Sequence, residues 1–297
     1  MENDTFEYLE NELTQTKRRS QFQEVWRRLK KNRLAILGLA LLLILVVVAI
    51  FADVIAPYPY DKQNYNETLQ APSLKHLAGT DEFGRDILSR IIFGSRISLR
   101  IGFISLSAGA LIGCILGSIA GYFGGMIDNI IMRICDILHG IPRVILAIAI
   151  ASTLGPGITS ALIAVAVSSV PNFARVVRAA TMTVRDQDYI EAARAIGAST
   201  ARIISLHVFP NILAPIIVQA TLGIGTAILL ASALSFLGLG IQPPTPEWGA
   251  MLSSARTYMR DNSYMVIGPG LAIMMTVMSL NLFGDGLRDA LDPKLKK

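Results

Sequence analysis

Tyr189-Ile190-Glu191-Ala192-Ala193-Arg194-Ala195-Ile196-Gly197, running on to Phe209-Pro210, is a short polar stretch between two long apolar segments. A polar stretch so flanked lies at a membrane surface, on a loop long enough to fold. Asp186 or Asp188 can cap a helix start, and Glu191 to Ile196 are mostly good helix formers. Gly197 suits the left-handed residue that ends a helix. Ser199 can cap a second helix through Ile203 and Ile204, and Pro210 suits the first turn of the next one. The spacing predicts a helical hairpin with a small-residue face at Ala192, Ala193 and Ala195, against which another surface can approach closely.

The flanks carry the rest of the fold. Of 297 residues, 52% are hydrophobic and 16% charged, with a mean hydropathy of +0.50. Soluble domains carry about 25% charged residues, so much of this chain sits in lipid. Leu34 to Ala52 is nineteen residues without a charge, long enough to span. Further spans are expected over 97–122, 127–154, 158–180, 211–238 and 266–283. Before the first span, Phe22, Val25, Trp26 and Leu29 recur at helical spacing among basic residues. That pattern predicts an amphipathic helix on the membrane surface. The basic stretch lies too far in for a cleavable signal peptide, and no small-residue cleavage site follows. Cys114 and Cys135 lie in apolar segments and form neither a disulfide framework nor a metal spacing.

Two spans stand out. In the second, Gly109, Gly113, Gly117 and Gly121 fall on one face at four-residue intervals, a pattern that lets helices pack closely in lipid. The third is interrupted by Arg133, Asp136, His139 and Arg143, and Pro142 should kink it. Charges at membrane depth are functional candidates. The reading adopted is that this half projects into the cytoplasm or is buried between subunits.

Orientation follows from basic residues. The N-terminal tail, the stretch from Arg175 to Arg202 and the C-terminal tail hold seventeen Lys and Arg; the two long loops on the other side, counting Arg100 at the border, hold eight. Six spans with both termini in the cytoplasm fit this asymmetry. The expected organisation is a cytoplasmic tail over 1–33 and a first span over 34–52. An extracytoplasmic segment over 53–96 follows. A five-helix transmembrane domain over 97–286 contains the cytoplasmic loop 181–209, and a cytoplasmic tail over 287–297 closes the chain.

At Glu191-Ala192-Ala193, Gly197 and His207-Val208-Phe209-Pro210 the sequence resembles the signature loop of ABC-importer permeases, departing from it at His207 and Phe209. Gly79-Thr80-Asp81, Gly84-Arg85-Asp86, Gly121 to Gly125, Ala233 to Gly240, Gln242 to Pro246 and Gly284 to Asp289 resemble the branch importing dipeptides, oligopeptides or nickel chelates. Within that branch the chain is similar to the C-type subunit over residues 34–293. The resemblance implies an all-α type I importer fold in the plasma (inner) membrane. It implies a B-type permease partner, two ABC ATPase subunits and an external substrate-binding protein. Glu191, Ala192, Ala193, Arg194, Gly197 and Pro210 would then form the loop that docks on the ATPase. Peptide is the expected substrate, with nickel or a metal chelate as the alternative.

The residues exclude several classes. The sequence has no Gly-Lys pair, so the phosphate-cradling loop is missing and ATP is expected on partner subunits, with no cofactor on this chain. His76, His139 and His207 lie far apart, and no paired acids or nucleophile–base arrangement suggests an enzyme. An ion-coupled transporter would want mid-span acids and internal repeats; Asp128 and Asp136 lie toward one end of the third span, and no convincing symmetry is visible. Flanking spans also exclude a nucleic-acid-reading helix-turn-helix.

Overall fold

The computed structural model describes residues 21–291. The acidic start of the tail, the side chain of Phe22 and the final lysines lie outside the described residues. Among the described residues there is no β-strand, only an isolated bridge between Thr80 and Asp86.

Helix α1 spans Gln21–Lys31 and α2 spans Arg33–Ile50. Asn32 separates them and caps α2: its Oδ1 accepts from the backbone N–H groups of Leu34 and Ala35, each at 3.1 Å. The apolar face of α1 is divided. Leu29 is buried with Ala35 and Ala290, and Val25, Phe283 and Leu287 pack against them. Trp26 is exposed, with the Lys30 ammonium 5.3 Å from its ring. The helix therefore docks partly on protein rather than wholly on lipid.

Helix α3 spans Ile87–Phe123, starting ten residues before the Ile97 read from sequence. Asp86 caps it, accepting from the Ser89 N–H at 2.7 Å. Arg90 and Arg96, which marked that stretch as loop, both have partners. Arg90 Nη1 donates to the carbonyls of Tyr60 and Pro244. Arg96 donates to the carbonyls of Ala49 and Ile50 at the end of α2 and to Asp53, neutralising the negative end of that helix. Before the cap, residues 53–86 fold into a polar clasp. Asp81 accepts from Arg85 Nε at 2.6 Å and from two backbone N–H groups, and Gly84 turns at φ +70 where a side chain would strike the Asn64 carbonyl.

Helices α4 (Gly125–Gly140) and α5 (Arg143–Leu154) are bent by 92° at Ile141-Pro142. At 16 and 12 residues neither spans alone, since about 20 are needed. Helix α6, Ile158–Arg185, decides their role. A Cβ placed on Gly109 would lie 2.6 Å from the Ala166 carbonyl; one on Gly113, 2.9 Å from that of Val170; one on Gly117, 2.5 Å from that of Ala174; one on Gly121, 2.7 Å from that of Arg178. Both series ascend together, so α3 and α6 run parallel, backbone against backbone. Parallel neighbours require a return crossing, and α4 with α5 supplies it.

The chain continues through α7 (Asp188–Ala195), α8 (Leu213–Phe236), α9 (Trp248–Ala255) and α10 (Tyr264–Leu291). Helix α8 runs against α3, with Gly223 beside Leu106 and Ile228 beside Gly102. Helix α10 runs with α3 and against α2, meeting it where Gly38 abuts Ser279 and Gly286 abuts Ala35. Among the described residues five helices are individually long and apolar enough to cross, and the bent pair makes the sixth. Residues 21 and 291 consequently lie on the same side as α7. On the other side Glu247, 1% exposed, accepts from the Ala250 N–H and the Ser98 and Ser232 hydroxyls. It thereby ties α9 to α3 and α8.

Candidate functional site: a helical hairpin at one membrane face

The hairpin is built on the ends of α3, α6 and α8. Ile190, Ala193, Ile203, Val208, Ile212 and Ile216 are buried in one cluster with Val177 and Cys114. Helix α7 ends at Gly197, φ +82. The Ala198 N–H donates to the Ala193 carbonyl at 3.0 Å and the Gly197 N–H to that of Arg194 at 2.9 Å, the paired bonds of a glycine-terminated helix. No atom lies within 4 Å of a Cβ added at Gly197, so conformation alone, not space, calls for glycine there.

Several details differ from the sequence reading. Helix α7 starts at Asp188 after Gln187, and neither Asp186, Asp188 nor Ser199 caps a helix through its side chain; the buried hydrophobic cluster holds the hairpin instead. Ala193 turns inward, leaving Ala192, Ala195, Ile196 and Gly197 exposed. Ile196 is 85% exposed, a large apolar side chain at the hairpin tip. A single π-helical turn over Ile204–Val208 precedes Phe209–Asn211, where Pro210 sits in the first turn. Glu191 is exposed and makes no side-chain hydrogen bond or ion pair among the described residues. Arg194 lies over the Tyr122 ring at 5.0 Å and donates to its hydroxyl at 3.2 Å.

Charged residues of α4 and α6 frame the hairpin. Arg178 makes two bonds to Asp128, at 2.5 and 2.6 Å. Arg175 donates to Asp136 at 2.7 Å, and Arg185 Nη1 donates to the Gly121 carbonyl at 3.0 Å. The pairing of Asp128 with Arg178 was not legible in the sequence, because fifty residues separate them. Tyr122 and Arg185 were missed as supports of the hairpin. Arg133 and His139 are exposed on α4, whereas Arg143 enters a polar cavity between α5, α6 and α8, away from the hairpin.

The described residues thus cross the membrane six times and carry an exposed hairpin fastened to one face. Residues 113–297 match the family model described as binding-protein-dependent transport system inner membrane component. The chain belongs to that family, the membrane permeases of ABC importers, and is a multi-pass inner-membrane protein. Residues 20–72 match the N-terminal TM domain of oligopeptide transport permease C. The dipeptide transport system permease protein DppC of Alkalihalophilus pseudofirmus is 50% identical over 277 residues, 93% of this chain and 91% of that one. The glutathione transport system permease protein GsiD of Escherichia coli O6:K15:H31 is 48% identical over 279 residues, 94% and 92% of the two chains. An inward-facing MetNI methionine ABC transporter chain superposes with a TM-score of 0.57 at 20% identity, covering 69% of this chain and 98% of that one. That likeness concerns the fold.

Proposed function

We propose that this chain is one of two permease subunits of an ATP-driven importer of short peptides. It forms half of the path and couples to ATPase subunits through its hairpin. Near-full-length similarity to a dipeptide and a glutathione permease carries the substrate class, since both named cargoes are short peptides. The excess of basic residues on the hairpin side supports a cytoplasmic hairpin and cytoplasmic termini. ATP hydrolysis belongs to two partner ATPases, specificity largely to an external binding protein, and the other half of the path to a B-type permease.

In coupling, Ala192 and Ala195 leave room for close approach, Ile196 offers an apolar plug, and Glu191 offers a charge not engaged by Arg194. The buried cluster beneath the hairpin gives it a rigid footing. A push on the tip therefore passes to α3, α6 and α8 as a rigid-body movement. Glu191→Ala and Gly197→Val should both insert normally and lose uptake, with less ATPase retained on the membrane. Gly197→Val is the more severe, because a positive φ costs a non-glycine residue roughly 1 kcal/mol or more. Normal uptake and retention in both variants would remove the hairpin from coupling. Import of nickel without peptide would overturn the substrate class.

A further inference from the structure

Arg143 is the first residue of α5, placed by the break at Pro142. Its Nη1 donates to Thr226 Oγ1 at 3.2 Å and its Nη2 to Ser169 Oγ at 2.7 Å. Both hydroxyls already give their protons to backbone carbonyls, of Gly223 and Val165. They orient the guanidinium without neutralising it. Its Nε is buried and has no hydrogen-bond partner among the described residues. Beside it is a cavity of about 170 Å³, whose lining includes Asn172, Gln219, Phe173 and Leu106 and no acid.

The depth of the site follows from its neighbours. Ser169 lies near the middle of α6, Thr226 near the middle of α8 and Leu106 near the middle of α3. A fixed positive charge thus sits near the centre of the membrane, with the positive end of the α5 dipole at the same residue. Side chains such as Asn172, Gln219 and Arg143 do not face lipid tails without a polar partner. Their side of the chain must border a polar path or another subunit.

We propose that Arg143, flanked by Asn172 and Gln219, is a way-station that binds the carboxylate of a peptide in transit. This rests on the peptide-importer reading. The guanidinium supplies the counter-charge, the amides of Asn172 and Gln219 supply hydrogen bonds, and the cavity holds a carboxyl-terminal group without its full hydration shell. A half-helix beginning at a mid-membrane site is a physical arrangement suited to anionic cargo.

The test uses the assembled complex in proteoliposomes with its external binding protein and radiolabelled alanyl-alanine, measuring peptide moved per ATP hydrolysed. Arg143→Gln should assemble, keep ATP hydrolysis stimulated by the loaded binding protein, and move about tenfold less peptide per ATP. Arg143→Lys should recover part of the loss, and Gln219→Leu should also lower the ratio. A wild-type ratio in Arg143→Gln overturns the way-station. If Arg143→Gln does not assemble, Gln219→Leu decides: a lowered ratio supports the proposal, and a wild-type ratio shows that Arg143 serves subunit pairing. A wild-type complex whose binding protein takes alanyl-alanine but which imports none refutes the peptide reading itself, a failure visible before any variant is made.

Discussion

Gly117→Ala tests whether α3 and α6 are held backbone to backbone. The added methyl would lie 2.5 Å from the Ala174 carbonyl, 2.8 Å from Val177 Cβ and 3.0 Å from the Arg178 nitrogen. Ordinary contact begins at 3.4 Å, which leaves the nearest approach 0.9 Å too short. The obstacle is a carbonyl inside a helix, so no side-chain tip can swing away. The helices must part locally, and a gap of about 0.5–1 Å forfeits a quarter to a half of each dispersion contact. Because both helices are stiff, Gly113 and Gly121 lose contact as well. Overpacking of this kind costs about 1–3 kcal/mol, against which alanine regains roughly 1 kcal/mol of helix propensity. Gly270→Ala is the control: that glycine is helical and nothing lies within 4 Å of an added Cβ, so only the propensity gain should register. The unfolding free energy of the purified permease pair, titrated with sodium dodecyl sulfate in mixed micelles, should fall for Gly117→Ala and rise for Gly270→Ala. A shift in the same stabilising direction for both would refute the packing argument.

Three further outcomes follow from the same geometry. A cysteine in place of Leu74, 99% exposed, should react with an impermeant thiol reagent added outside. One in place of Ile196 should react only after permeabilisation and without the ATPase; the reverse pattern would invert the orientation, and buried Cys114 and Cys135 should give little background. Asp128→Asn should lower the stability of the pair by about 1–3 kcal/mol, the range for losing charge-assisted bonds, and exchanging the two charges as Asp128→Arg with Arg178→Asp should restore part of it; no loss in the single variant would show that the pair is incidental. Burial raises the pKa of Glu82, with Asp81 adding to the shift, so the folded state holds that proton more tightly and loses stability as pH rises through the raised value. Glu82→Gln should therefore raise the thermal midpoint at pH 8, with the gain vanishing toward about pH 4, near the unfolded carboxylate value; a larger gain at pH 4 would contradict the assignment.

What the sequence could disclose depended on whether the cause was local. The turn at Gly197 was legible because a positive φ is a property of one residue. The four glycines were legible as a face, and the break at Pro142 as a kink. Their partner was not: that Gly109 meets Ala166 and Gly121 meets Arg178 depends on how the chain returns through α4 and α5. The start of α3 was misplaced because Arg90 and Arg96 look like loop residues until Tyr60, Pro244 and the end of α2 are brought beside them. Ala193 was grouped with Ala192 and Ala195 because composition does not give the phase of a short helix; the phase is set by which face the buried cluster takes. Glu247 gave no signal, since an isolated acid in a proline-rich loop reads as exposed until Ser98, Ser232 and the α9 backbone surround it.

The hairpin divides its residues by task. Ile190, Ala193, Ile203 and Val208 hold it down, a backbone turn at Gly197 shapes it, and the side chains of Ala192, Ala195 and Ile196 are exposed. The outward positions are thus free to change without unfolding the loop, and under the coupling role proposed above, transplanting a few exposed side chains would be expected to change the partner ATPase. The load-carrying part of the hairpin and its outward face can therefore be altered separately, one without disturbing the other.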